Sequence, residues 1–214
     1  MSWTGVFQVG LYLERAEAND VMLAQLFQSD VWNRNPVHYA TRRGDAGVLR
    51  RLLTFARGHH LFQHGLFQPD SLERGPFHDA AEGQDATVVE LLLEHAGGEL
   101  GDLLQQPDAY GLSPFQYAAE NENAAVLASL LERAGGSVVG RWHVFHDLLN
   151  SAGRSGNAAT TALLLSLARR HHLRLELDPP QDCPSSALEG DAGVVALLLD
   201  HVTQALALSF PLES

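Results

Sequence analysis

The strongest constraint on this chain is a residue pattern that recurs along it. A segment of small and apolar residues, a short polar break and a leucine-rich helix follow one another several times. The clearest copy runs from Asp108 through Pro114 to Ala119, and similar copies surround Pro76 and Pro36. Such repetition predicts a solenoid whose units stack on their neighbours, and it favours a binding surface over a single catalytic pocket.

The polar break before each leucine-rich helix defines the period. Its six positions are separated by 25, 40, 38, 34 and 34 residues, and they are Asn19, Gly44, Gln84, Glu122, Gly156 and Gly190. The last two spacings fit a unit of about 33 residues with a turn and two helices. The two longer spacings predict insertions in connecting loops, and the short first spacing predicts an incomplete first unit.

Each unit is expected to contain two helices with different faces. The second helix carries apolar residues at positions i, i+3 and i+4, which form one stripe, as in the segment 88–92. The first helix carries alanine pairs, at 80–81 and 118–119, which let neighbouring helices approach closely. Proline at 36, 76 and 114 suits a first helical turn, where its missing N–H costs no hydrogen bond.

These residues resemble the ankyrin repeat, whose signature is approximately D-x-x-G-x-T-P-L-H-x-A-A-x-x-G followed by a V-x-x-L-L helix. The segment 108–119 matches it with Ser113, Phe115 and Gln116 in place of threonine, leucine and histidine. The segment 70–81 keeps the aspartate, proline, histidine and alanines but departs at Glu73 and Gly75. The resemblance is strongest over residues 70–136 and weaker towards both ends.

The resemblance implies an all-α fold, an ankyrin-repeat α-solenoid of about five to six helix-turn-helix units with extended or β-hairpin-like connecting loops. Residues 1–34 are expected to form N-terminal capping helices, residues 35–202 the repeats, and residues 203–214 a C-terminal tail or cap. Tetratricopeptide or other α-solenoid repeats are the alternative for the weakest units.

The charge balance restricts the class of partner. The formal net charge is −12, which favours a protein partner with a basic or mixed-charge surface and argues against nucleic acid. All 14 basic residues are arginine. Either GC-rich coding or selection against lysine modification explains this, and the second would suit a bacterial or viral protein working in a foreign cell.

Cysteine usage and hydropathy indicate a cytoplasmic protein. Cys183 is the only cysteine, so no intramolecular disulfide can form. The apolar stretch 6–13 has no preceding basic residue and is followed directly by acidic residues, which is unlike a signal peptide. Because no apolar run approaches the length needed to span a membrane, we expect no membrane contact. We also expect the protein to be a monomer when it is free.

Candidate chemistry is sparse despite eleven histidines. The resemblance implies that His38, His78 and His146 hydrogen-bond the turn backbone. The clusters at 59–64 and 171–172 lack cysteine or acidic ligands at zinc-site spacing. We therefore expect no catalytic residue, no cofactor and no metal. The rival class is an enzyme with ankyrin-like wrapping, whose pocket would lie in residues 137–182 and use His143, His146 and an acid.

The resemblance also implies where a partner would bind, namely at the hairpin tips and on the exposed face of the first helices, the concave side. Tyr110 and Arg74 are the expected anchors, because aromatic and arginine side chains dominate interface energetics. The full predicted set is Arg42, Arg43, Ser71, Leu72, Arg74, Glu82, Ala109, Tyr110, Leu112, Glu120 and Asn121.

Two further features of the surface bear on binding. Residues 34–57 hold six arginines and one acid, whereas residues 79–108 hold acids and no arginine, a pattern that could orient a partner or simply be solvated. The insertion 58–68 holds two Leu-Phe pairs, at 61–62 and 66–67, which either pack as a satellite core, the favoured interpretation, or form a docking loop.

The expected function is non-catalytic binding of a specific protein partner. One concrete form is a bacterial immunity or inhibitor protein that covers a basic toxin, suggested by charge and size. The alternative is a secreted bacterial or viral effector or adaptor acting in a host cell, suggested by the missing lysines.

Overall fold

The computed structural model of this chain describes residues 28–58, 65–83, 85–121, 123–134 and 142–170, with positions 193 and 196. Within that part of the chain all regular secondary structure is helical, as expected. The α-helices are α1 (Pro36–Arg42), α2 (Ala46–Gly58), α3 (Pro76–Glu82), α4 (Ala86–His95), α5 (Leu100–Gln105), α6 (Pro114–Glu120), α7 (Ala124–Ala134), α8 (Trp142–Arg154) and α9 (Ala158–Arg170). The expected capping helices before residue 28 and the tail after residue 202 lie outside the described residues.

The chain divides into two compact units, Met1–Tyr117 and Ala118–Ser214, so the boundary falls within α6. In the first unit α1 packs on α2 and α3, α2 packs on α4, and α3 packs on α4. First helices thus stack on first helices and second helices on second helices. The core of this unit is built from apolar residues that are at most 4% exposed, among them Val37, Leu49, Leu52, Leu53, Phe77, Val89, Leu92, Leu104 and Phe115.

Side-chain caps explain why the helices start where they do. The Asn35 side chain accepts hydrogen bonds from the backbone N–H groups of Val37 and His38, at 2.9 and 3.2 Å, which caps α1. Asp45 caps α2 in the same way by accepting from the N–H of Val48 at 3.0 Å. Each such cap satisfies donors that the helix leaves unpaired and is worth about 1 kcal/mol. The three prolines at 36, 76 and 114 begin α1, α3 and α6, as predicted.

The two insertions in the first unit contribute to its core. In the first, Leu66 and Phe67 are 5% and 8% exposed, and the Phe67 ring lies 5.6 Å from that of Phe77, centroid to centroid. This Leu-Phe pair therefore packs as the favoured satellite core, while the pair at 61–62 lies outside the described residues. In the second insertion, a 3₁₀ turn (Gly97–Glu99) leads into α5, whose Leu104 is fully buried.

In the second unit α9 packs against both α7 and α8. Asn157 begins α9 by accepting from the N–H of Thr160 at 3.1 Å. The core of the unit is apolar and includes Ala118, Val126, Leu127, Leu130, Phe145, Leu148, Ala152 and Leu164. Among the described helices of either unit, none is long and apolar enough to cross a membrane.

Candidate partner-binding surface

Three turns with the same hydrogen bonds lead into α1, α3 and α6. Each starts at an aspartate six residues before the helix-starting proline: Asp30, Asp70 and Asp108. One oxygen of each carboxylate accepts from the backbone N–H groups two and four residues later, at distances between 2.8 and 3.1 Å. The aspartate N–H in turn donates to the carbonyl four residues later, at 2.9 to 3.0 Å. The turns are therefore closed by backbone and side chain together.

The fourth residue of each turn has a left-handed backbone. The φ angles of Asn33, Glu73 and Gly111 are 60°, 60° and 79°. Glycine adopts this conformation freely, asparagine tolerates it, and most other residues pay a steric cost. Glu73, which departs from the sequence signature, nevertheless takes the conformation that the signature glycine supplies.

Hydrogen bonds join each turn to the next. The Ser71 N–H donates to the carbonyl of Trp32 at 2.8 Å, and the Ala109 N–H donates to the carbonyl of Leu72 at 2.9 Å. The Asn33 side chain adds a bond to the carbonyl of Pro69 at 2.8 Å. These bonds hold the three turns in register, so that Trp32, Leu72 and Tyr110 occupy equivalent positions.

The tips of the turns carry large apolar side chains that face solvent. Val31 is 88% exposed, Trp32 55%, Leu72 39% and Tyr110 68%. We call these four residues the tip row. Among the described residues they are the large apolar side chains with the greatest exposure. Single exposed apolar side chains are ordinary on a protein surface, but a contiguous set at matched positions marks a site that can bury area against a partner.

Beneath the tips, the second carboxylate oxygen of each aspartate is also occupied. The Tyr117 hydroxyl donates to Asp108 at 2.7 Å, Tyr39 donates to Asp30, and Nε of Arg34 donates to Asp70 at 2.9 Å. Burial alone would raise the pKa of these carboxyls, but the hydrogen bonds outweigh it, and each pKa lies below its usual value. The aspartates are therefore fixed, charged supports of the tips.

Arg74 lies below this surface instead of on it. Its side chain is only 13% exposed and pairs with Asp79, at 3.1 Å, and with Glu82. Its guanidinium carbon also lies 4.9 Å from the centre of the Tyr117 ring. The side chain expected to be an anchor is thus committed to contacts within the chain, where it ties α3 to α6 within the first unit.

Asp79 stands where the flanking repeats have tyrosine, at 39 and 117. Burial raises the pKa of Asp79 to about 6, against the opposing effect of the Arg74 charge. Burial and the hydrogen bond to Asp108 raise the pKa of Tyr117 to about 12. The middle repeat therefore replaces a neutral hydroxyl by an ion pair, and Arg74 fills the space between Asp79 and Tyr117.

The structural role expected for histidine is confirmed in two repeats. Nδ1 of His38 accepts from the N–H of Asn35 at 3.3 Å, and Nδ1 of His78 accepts from the N–H of Gly75 at 3.1 Å. Nε2 of His78 donates to the carbonyl of Gln106 at 3.0 Å. Burial lowers the pKa of His78, and it lowers that of His38 to about 4. Both rings are held neutral. The side chain of His146 lies outside the described residues.

The structure places the other predicted contact residues in the turns, at the ends of first helices and in the second unit. Leu72 and Tyr110 belong to the tip row, and Ser71 and Ala109 are exposed beside them. Leu112 is half-buried in its turn. Arg42, Arg43 and Glu82 are exposed at the ends of the first helices of the first unit. Glu120 and Asn121 lie in the second unit, where Glu120 pairs with Arg154 at 3.6 Å and the Asn121 carbonyl accepts from the Asn157 side chain.

The first tip, with Val31 and Trp32, is not predicted by the sequence pattern. Residue 34 was expected to end a capping segment, whereas Asp30 to Arg34 form a turn with the same bonds as the two later ones. The spacing from aspartate to proline, the same in all three turns, is the signal that could have found it. It was obscured because Asn33 replaces the signature glycine.

The described residues offer no alternative site for metal chemistry: no three of their histidine, cysteine or acidic side chains are grouped so that they could hold an ion. The side chains of His143 and His146, on which an enzyme pocket in residues 137–182 would depend, lie outside the described residues.

Comparison with known proteins identifies the fold. No protein-family model matches the sequence, and no curated protein sequence matches it significantly. Among solved structures, the ankyrin repeat protein EF0377 aligns with a TM-score of 0.53 and 17% identity, covering 74% of this chain and 81% of its own. The ankyrin repeat domain of Bcl-3, a member of the IkappaB family, aligns with a TM-score of 0.49 and 20% identity, covering 79% and 86%. The second score is below 0.5, so the assignment rests on the first alignment and on the turns and helix pairs themselves.

Proposed function

Because the chain has an ankyrin-repeat fold, we propose that it is a non-catalytic protein–protein interaction module whose partner binds the tip row. One observation carries this proposal: Trp32, Leu72 and Tyr110 project from equivalent tips that hydrogen bonds hold in register. Tryptophan and tyrosine are enriched among the few residues that provide most of the binding energy in an interface.

The rigidity of the tips supports the proposal. Each tip is closed by an aspartate side chain and by a backbone hydrogen bond, so the row does not need to be ordered when a partner arrives. Ordering a flexible side chain or loop costs roughly 0.5 to 1.5 kcal/mol per immobilised side chain, and a preformed row avoids much of that cost. Neighbouring repeats lie roughly 10 Å apart, so three tips span roughly 20 Å.

Charge next to the row suggests the chemistry of the partner. Glu73 is exposed at the middle tip and Glu82 is exposed at the end of α3, in a chain with a formal net charge of −12. We propose that the partner is basic or mixed in charge around an apolar centre. An immunity or inhibitor protein that covers a basic toxin is the specific form of this proposal.

Affinity capture from extracts of the source cells tests the proposal with three matched baits. The first is the natural chain, and the second is Trp32→Ser with Leu72→Ser and Tyr110→Ser. The third, a control, carries Glu94→Ser, Ala125→Ser and Ala162→Ser, at exposed positions on second helices.

We expect one protein to be captured by the natural chain and the control and to be reduced at least tenfold with the tip variant. Equal capture by all three baits would refute the tip row as the binding surface. If the captured protein were acidic, the more specific proposal, that the partner is a basic toxin, would be refuted.

A further inference from the structure

The outer face of α2 differs from the equivalent faces of the other second helices. Its buried side is made of leucines, valine and alanine, and its exposed side carries Arg50, Arg51 and Arg57 with Gly47 and Thr54. We call Arg50, Arg51 and Arg57 the arginine face. No acidic residue lies on this side of the helix.

The fold does not require this charge. Aligning the repeats at their helix caps, Asp45, Asp85 and Asn123, places Glu90 and Ala128 at the position of Arg50. The same alignment places Leu91 and Ser129 at the position of Arg51. The helix forms in each case, so arginine at these positions is not needed for the stacking of α2 on α1 and α4.

The arginine face has no directly paired counter-charge among the described residues. Arg50, Arg51 and Arg57 form no ion pair there, although the chain has 26 acidic residues. The nearest acid in the sequence, Asp45, is occupied in capping α2, where it accepts from the Val48 N–H at 3.0 Å. Arg50 and Arg57 are seven residues apart, which places them about 10 Å apart on one side of the helix. Like charges so close repel one another and lower stability slightly.

We propose that the arginine face is a second interaction surface, separate from the tip row, which binds a short acidic segment of a protein partner. Guanidinium groups bind carboxylates through paired hydrogen bonds, and unpaired guanidinium groups are available to do so. The length of α2, 13 residues, is about 20 Å, which an extended segment of about six residues would span.

Charge decides between an acidic protein segment and a nucleic acid. A short peptide lying along α2 experiences mainly the arginines, because salt screens charges beyond about 10 Å. A long polyanion would also meet the exposed acids of α4, Glu90 and Glu94, in the neighbouring repeat, and a molecule with a net charge of −12.

The test uses a fluorescein-labelled hexaglutamate peptide, with the dissociation constant measured by anisotropy at low and at near-physiological salt. Three forms of the full chain are compared: the natural one, Arg50→Gln with Arg57→Gln, and a control with Arg133→Gln and Arg170→Gln. The control removes two exposed arginines from the second unit and so changes the net charge equally.

We expect the dissociation constant to rise at least tenfold in the Arg50 and Arg57 variant and less than twofold in the control, with binding weakened by salt. We also expect the peptide to bind unchanged to the variant with Trp32→Ser, Leu72→Ser and Tyr110→Ser, because the arginine face is separate from the tip row. Equal weakening by both arginine pairs would overturn the proposal, as would loss of peptide binding in the tip variant.

Two further outcomes would show that the arginine face does not bind an acidic protein segment. Hexathymidylate binding as tightly as hexaglutamate would show that the face does not select an acidic protein segment, which contradicts the proposal. Sedimentation that shows a dimer of the natural chain, lost in the Arg50 and Arg57 variant, would assign the face to a second copy instead.

Discussion

At position 73 a glutamate holds a backbone conformation that glycine adopts with less strain. Its φ of 60° matches that of Asn33 and approaches the 79° of Gly111 in the equivalent turns. For a residue with a β-carbon, the left-handed conformation costs about 1 to 2 kcal/mol. The chain accepts this cost in the middle of the tip row, where Glu73 also adds a negative charge beside Leu72.

Two substitutions of Glu73 distinguish the effect of backbone strain on stability from the effect of the lost charge. We expect Glu73→Gly to unfold with a free energy about 1 kcal/mol higher than that of Glu73→Ala, because both lose the charge and only glycine relieves the backbone. The gain from relieved strain is partly offset by the greater freedom of glycine in the unfolded chain. Urea unfolding followed by circular dichroism measures the difference. If the two variants were equally stable, the backbone at position 73 would not be strained.

The first helices α1, α3 and α6 begin with the same connection, made by different side chains. His38 and His78 accept from backbone N–H groups through Nδ1, and Gln116 accepts from the N–H of Ser113 through its side-chain oxygen at 2.8 Å. Glutamine can therefore replace histidine in this connection. The difference is that histidine titrates, and burial makes protonation of His38 unfavourable.

This difference predicts a pH effect for His38→Gln. The pKa of His38 is 6.5 when unfolded and about 4 when folded, so its contribution to stability is complete above pH 6.5 and is lost as the pH falls towards 4. Between pH 7 and pH 4.5 the natural chain should lose about 2 to 3 kcal/mol more unfolding free energy than His38→Gln. Asp79 has a raised pKa, so at this residue a lower pH favours the folded state. This effect is present in both proteins and cancels when they are compared.

Urea unfolding at the two pH values measures this difference. The control is His95→Gln, a half-buried histidine at the end of α4 whose ring bonds the carbonyl of Leu91. Parallel losses in the natural chain and in His38→Gln would contradict the account of a histidine held neutral by burial.

The elements differ in how far the sequence predicts them. The helix starts at 36, 76 and 114 follow from proline and a capping residue within one turn, so local chemistry is enough to find them. The turn at Asp30 is not predicted from the signature, because Asn33 stands where the signature has glycine, although it adopts the same left-handed conformation. The position of Arg74 depends on Tyr117, which is 43 residues away in sequence, and no local pattern predicts that contact.

At the scale of the molecule, the two proposed surfaces have opposite chemistry and belong to the same unit. The tip row is apolar, preformed and carried by the turns, whereas the arginine face is charged and lies on α2, the second helix of its repeat. Apolar anchors at the centre of an interface supply affinity, and charged faces mainly supply orientation and speed of association. A partner that used both would be selected by its shape at one surface and by its charge at the other.

Site-specific photo-cross-linking in extracts of the source cells tests the tip row most directly. p-Benzoylphenylalanine is placed in turn at Leu72, at Tyr110 and, as a control, at Glu94 on the outer face of α4. We expect one covalent adduct of the same mass from positions 72 and 110 and none from position 94. An adduct from position 94 without one from either tip position would contradict it.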